Sequence, residues 1–126
     1  MTTLIKEADL VQSIADAIQF ISYYHPQDYI QHLARAYEAE QSPAAKDAIA
    51  QILTNSRMCA EGHRPICQDT GIVNVFLKVG MDVRFELKGT LQEACDEGVR
   101  RGYLDPDNKL RASDLADAIF ERKNTK

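Results

Sequence analysis

Apolar positions in the glycine-free stretch from residue 1 to residue 61 recur at three- and four-residue spacing, the mark of helices that each bury one face. Leu10, Ile14, Ala17, Ile18 and Ile21 predict a first helix. It should end at Tyr24-His25-Pro26, because the residue before a proline avoids the α region. Pro26 suits the first position of a second helix, whose stripe of Tyr29, Ile30, Leu33, Ala36 and Tyr37 lies opposite Gln31, Arg35 and Glu38. Ser42-Pro43 reads as an N-cap and a first-turn proline for a third helix. Its face is Ala45, Ala48, Ile49, Ile52 and Leu53, and Gly62 is a natural stop.

Beyond Gly62 the period shortens. Residues 72–79 are rich in β-branched side chains and residues 83–87 alternate strictly, which predicts two strands joined through Gly80-Met81-Asp82 as a hairpin and closed by Gly89. Thr90-Leu91-Gln92-Glu93 is a capping box for a helix bearing Ala94, Val99 and Tyr103, which should end at the turn Leu104-Asp105-Pro106-Asp107-Asn108. A last helix can start at Ser113, with Leu115, Ala118, Ile119 and Phe120 on its apolar face, before the polar run 121–126. The expected fold is therefore α+β: a mainly helical domain of about five helices with a small β element, a hairpin. Glycines 62, 71, 80, 89 and 98 are nine residues apart, but their flanking residues share nothing, so a β-helix repeat is rejected.

Length and charge narrow the class. At 126 residues the chain is one domain, and 44% apolar with 27% charged residues is a globular composition. A net charge of −4 without a basic block leaves no footprint for nucleic acid. The apolar runs are too short to span a bilayer and the N-terminal residues lack a signal-peptide layout, so no membrane partner and a cytoplasmic location are expected. Three cysteines, Cys59, Cys67 and Cys95, argue against a disulfide framework and for free thiols or a metal ligand.

Residues 61–71 concentrate reactive groups: within Cys67-Gln68-Asp69 lie a thiol for a soft metal, an amide that donates and accepts, and a carboxylate for acid–base work. Turn-making alone would also collect Gly, Pro, Asp and Thr between a helix and a strand, and composition by itself favours that plainer reading. Cys59, His63 and Cys67 stand at four-residue intervals but lack a fourth ligand for zinc, so Cys59 and Cys95 are read as structural. His25 and His32 are read as solvated, and His63 as an exposed loop residue, with capping or support of the neighbouring motif as the alternative.

The run Arg64-Pro65-Ile66-Cys67-Gln68-Asp69-Thr70-Gly71 resembles the signature of the class I, iron–sulfur-dependent fumarate hydratases and the related L-tartrate dehydratase α subunits. The likeness continues in Asn55-Ser56-Arg57, Ala60-Glu61-Gly62, Val79-Gly80, Glu97-Gly98-Val99-Arg100-Arg101, Leu110-Arg111-Ala112-Ser113 and the closing 122–126, so it covers nearly the whole chain. It implies an N-terminal domain of an iron–sulfur hydro-lyase, residues 1–126, whose C-terminal part lies elsewhere. It implies that Cys67 is one of three cysteines on a [4Fe-4S] cluster, that Gln68 and Arg111 bind the substrate, and that Asp69 both binds it and moves its hydroxyl proton. The implied substrate is a small dicarboxylate, fumarate or malate. Partners would be the enzyme's own C-terminal domain or a β subunit, in a homodimer when full-length. With one ligand of its own, the 126-residue piece is expected to be inactive alone and not to retain the cluster. A tartrate dehydratase α subunit and a non-catalytic helical interaction module are the alternatives.

Overall fold

A computed structural model of the chain describes residues 1–67, 72–104 and 110. Chain order is strand β1 (Thr3–Lys6), helices α1 (Glu7–Tyr23), α2 (Gln27–Ala39) and α3 (Pro43–Gly62), strand β2 (Val83–Glu86) and helix α4 (Leu91–Leu104). The described residues thus hold four helices rather than about five; the helix expected from Ser113 lies outside them.

The predicted helix breaks hold. α1 stops before His25-Pro26, and α2 begins one residue after Pro26, which serves as its N-cap instead of its first residue. Pro43 opens α3, where its missing N–H costs nothing. At α4 the capping box forms: the Glu93 carboxylate accepts from the Thr90 N–H at 2.7 Å, and the Thr90 hydroxyl accepts from the Glu93 N–H at 3.1 Å. The Thr90 N–H first, and then the Thr90 hydroxyl, which donates to the same carboxylate oxygen at 3.0 Å, hold the Glu93 carboxyl below its usual range.

The hairpin is not there. β2 pairs in parallel with β1, Thr3 opposite Val83 through Lys6 opposite Glu86, and residues 72–80 form no strand. The turn at Gly80 explains this, because the Val83 N–H returns to the Gly80 carbonyl (3.2 Å) while the Asp82 carbonyl accepts from the Thr3 N–H (2.9 Å). The chain is handed to β1 instead of folding back on residue 79. Parallel partners need a crossover, and three helices supply it here. Without a ladder partner, 72–79 has no regular secondary structure and is largely exposed, with Ile72 at 87% and Phe76 at 92%.

The core lies between α1 and α4. Leu10, Val11, Ile14 and Ile18 pack with Ala94, Cys95 and Leu110, and Ile5, Phe85 and Leu87 close the sheet side. α1 is turned relative to the predicted face: Val11 and Ala15 are buried, whereas Ala17 and Ile21 are exposed. The cause is the partner, since Gly98 and Gly102 of α4 let α1 approach along the Val11–Ala15 side. α2 buries no residue and leans mainly on α3. No helix among the described residues is long and apolar enough to cross a membrane.

On the outer face of α4, Glu97 accepts from Arg100 (2.7 and 2.8 Å) and Arg101 (2.7 Å). The Arg100 bonds first, then the Arg101 bond, lower its carboxyl from 4.5 to about 2. A carboxyl depressed in the folded state contributes stability that is complete above about 4.5 and is lost as pH falls towards about 2. A carboxyl-carbon NMR titration of Glu97 should show a midpoint near 2. Glu97→Gln should flatten acid unfolding in that window only slightly, because the pair is solvent-screened.

Candidate functional site

The chain leaving α3 is fastened to the ends of two helices. The Cys59 carbonyl accepts from the N–H groups of both His63 and Arg64, the latter at 3.1 Å, which closes the helix. His63 sits in the left-handed region (φ 48, ψ 57), where glycine is usual and an L residue costs about 1–2 kcal/mol. Its side chain offsets that cost: Nε2 is 3.0 Å from the Tyr24 hydroxyl, and the ring stacks on Tyr23 with centroids 5.6 Å apart and 13° between planes. His63 is exposed, as expected, and it also serves as the helix cap.

His25 is half-buried and bonded, contrary to the solvated role expected. Its Nδ1 lies 2.9 Å from the hydroxyl of Ser56, a buried polar side chain of α3, and its ring stacks on Tyr29 at 4.7 Å. This contact ties the α1–α2 junction to α3. The only sequence sign was a histidine at a helix break, which names no partner. His32 is exposed as expected, 3.0 Å from an Arg35 guanidinium nitrogen.

Next along the chain, the Ile66 N–H donates to the Ser22 carbonyl (2.9 Å) at the end of α1, and the Ile66 carbonyl accepts from Asn55 Nδ2 (2.9 Å). Cys59 Sγ is 3.4 Å from the Pro65 carbonyl and 3.6 Å from Asn55 Oδ1, so its single S–H has two acceptors in reach. Burial, and then the neighbouring Cys67, push the Cys59 thiol up, which keeps it protonated as a donor.

Cys67 follows as an exposed free thiol. It stands on a cleft of about 500 Å³ with mainly apolar walls, among them Ile18, Ile21, Ile66, Ile72 and Leu110. Tyr103 also lines it, and burial raises its phenol above the ordinary value, so the hydroxyl stays neutral. No Lys, Arg or His is among the described lining residues. Of the predicted site residues, Cys67 is therefore placed on the cleft, while Gln68, Asp69 and Arg111 lie outside the described residues. Their chain neighbours are informative. Cys67 precedes Gln68 and Leu110 precedes Arg111, and these two residues, distant in sequence, line the same cleft, with Leu110 only 3% exposed.

The thiols test the fit of an iron–sulfur cluster, which usually takes four sulfur ligands. Cys95 is buried in the α1–α4 core and Cys59 is engaged by the loop, which leaves Cys67 as one available sulfur. The described residues hold no group of three or more His, Cys, Asp or Glu arranged for a metal. They fit one corner of a cluster site and not a complete one.

The geometry defines a helical domain that presents one thiol at the edge of an apolar cleft. A family model described as fumarate hydratase (fumerase) matches residues 11–126. The L(+)-tartrate dehydratase subunit alpha of Escherichia coli (strain K12) is 30% identical over 116 residues, 92% of this chain and 38% of that protein. A putative L(+)-tartrate dehydratase subunit alpha of Methanocaldococcus jannaschii is 31% identical over 88 residues, 70% of this chain and 31% of that protein. No solved structure matches. The chain spans about a third of the length of these relatives. It belongs to the fumarate hydratase (fumerase) family.

Proposed function

We propose that residues 1–126 form the N-terminal domain of an iron–sulfur hydro-lyase, a fumarate hydratase that adds water reversibly to fumarate to give malate. The observation that carries this reading is the shared cleft: Cys67 and Leu110, which precede Gln68 and Arg111, both line it, in a chain matched by the family model. Cys67 would supply one of three thiolates to a [4Fe-4S] cluster, with the other two coming from the remainder of the enzyme. When bound, such a cluster supplies an open iron that polarises substrate oxygens without redox change.

The chain's own residues bind the diacid and carry the hydroxyl proton, while the acid that protonates the other alkene carbon comes from the remainder of the enzyme. Arg111 pairs with a substrate carboxylate through its planar fork of donors. Gln68 hydrogen-bonds the diacid. Asp69 takes the proton of the attacking water in hydration and returns it to the leaving hydroxyl in dehydration. The enzyme would act in the cytoplasm, as a homodimer.

A second reading is favoured by a specific observation, because the curated relatives described above are tartrate dehydratase alpha subunits. In that case the substrate is L-tartrate and activity depends on a separate β subunit. The test loads the protein that carries these residues at the family's full length with iron and sulfide under anaerobic conditions, alone and with a candidate β subunit. Fumarate and malate turnover by the single chain supports the first reading. L-tartrate turnover that requires the second chain supports the other, and a fully loaded protein that turns over neither substrate refutes both. The 126-residue chain, treated in the same way, should hold no stoichiometric cluster; a stable brown species on it would overturn the domain assignment.

A further inference from the structure

We infer that Asn55 and Cys59 are positioning residues whose side chains hold the backbone of Pro65 and Ile66 so that Cys67 meets the cleft in one place. The two residues stand four apart on α3 and so project from the same face of the helix towards the departing chain. Residues 64–67 have no helix or strand to satisfy their backbone, so each polar group needs another partner.

The accounting over Pro65 and Ile66 closes. Pro65 has no N–H, and its carbonyl lies 3.4 Å from Cys59 Sγ. The Ile66 N–H reaches the Ser22 carbonyl and the Ile66 carbonyl receives Asn55 Nδ2, both at 2.9 Å. Asn55 also works at its other end, where Oδ1 is 3.6 Å from the same sulfur. The Ile66 carbonyl belongs to the peptide plane that contains the Cys67 nitrogen. Fixing that plane leaves only the dihedrals of Cys67 itself to set where Sγ points. Cys59 is thus the donor that locks the loop, which gives a buried cysteine near the motif a task other than ligation. The consequence for a cluster rests on the proposed role of Cys67; the clamp itself does not.

Two measurements test this. In the 126-residue chain, hydrogen exchange at the Ile66 amide should speed up about tenfold in Asn55→Ala, the equivalent of about 1.4 kcal/mol, while α1 and α4 amides keep their protection. Cys59→Ala should do the same, and Cys59→Ser should restore slow exchange because a hydroxyl donates to the same carbonyl. A mere packing role predicts the reverse order, since a buried thiol then behaves as a small apolar group. In the full-length protein, iron and sulfide content should fall severalfold in Asn55→Ala and be kept in Cys59→Ser. Unchanged Ile66 exchange in Asn55→Ala, alanine outperforming serine at Cys59, or faster exchange with undiminished iron would each overturn the positioning role alone. Full cluster content in Cys67→Ser would overturn the functional reading and its consequence for the cluster, while the clamp itself is decided by Ile66 exchange.

Discussion

Asp69→Asn in the full-length enzyme should lower kcat for fumarate hydration by about a thousandfold, the middle of the range for a positioned general acid–base group, with KM little changed. Asparagine keeps the size of aspartate and offers an amide N–H to a substrate carboxylate, so binding survives. It cannot take a proton from water or return one to a leaving hydroxyl. A loss confined to kcat therefore marks an interaction made in the transition state and not in the ground state. Steady-state kinetics in both directions should show equal falls, because one proton carrier serves hydration and dehydration. Intact turnover would instead favour the reading of this domain as an interaction module without chemistry. A rise in KM with kcat preserved would reassign Asp69 to substrate binding alone.

The parts of this chain that were legible in its sequence are those fixed by near neighbours. Helices α1 to α4 each carry enough turns for a 3.6-residue pattern to show, and Pro43 and the Thr90–Glu93 box are local devices whose geometry needs nothing from elsewhere. β1 was invisible for the opposite reason. It has four residues, and its partner β2 lies beyond three helices, so nothing near Thr3 announces pairing. Residues 72–79 showed strand chemistry without a strand, because β-branched side chains describe a surface that suits a sheet and cannot supply the neighbour that makes one.

The site divides in the same way. Cys67 stood out through its motif, and the structure puts it on a cleft. Its support did not stand out, because Ser22, Asn55 and Cys59 contribute one bond each from two helices, and all three end on backbone atoms of Pro65 and Ile66, which carry no side-chain signal. The rotation of α1 also escaped detection. Leu10, Ile14 and Ile18 could face a partner on either flank, and only the glycines of α4 decide in favour of Val11 and Ala15.

Those glycines carry the second large effect: Gly98→Ala should destabilise the domain by about 1–2 kcal/mol, whereas Gly102→Ala should be close to neutral. Both replacements gain about 1 kcal/mol of helix propensity, so the sign depends on the space available. At Gly98 an added methyl would lie 2.7 Å from Ile14 Cβ and 3.0 Å from the Val11 carbonyl oxygen, atoms that no side-chain rotation can move. α1 itself must retreat, and overpacking of that kind costs about 1–3 kcal/mol or somewhat more. At Gly102 the nearest atom is Ile18 Cδ1 at 3.2 Å, the far end of a flexible side chain that can turn aside. Thermal unfolding should place Gly98→Ala about 5 °C below the parent and Gly102→Ala within about 2 °C of it; equal Tm values for the two variants would refute the close-approach argument. Because Ser22, in the last turn of α1, holds the Ile66 N–H with its carbonyl, the displacement should reach the cleft as well. Faster Ile66 exchange in Gly98→Ala but not in Gly102→Ala would show that the contact between α1 and α4 sets the position of the loop leading to Cys67.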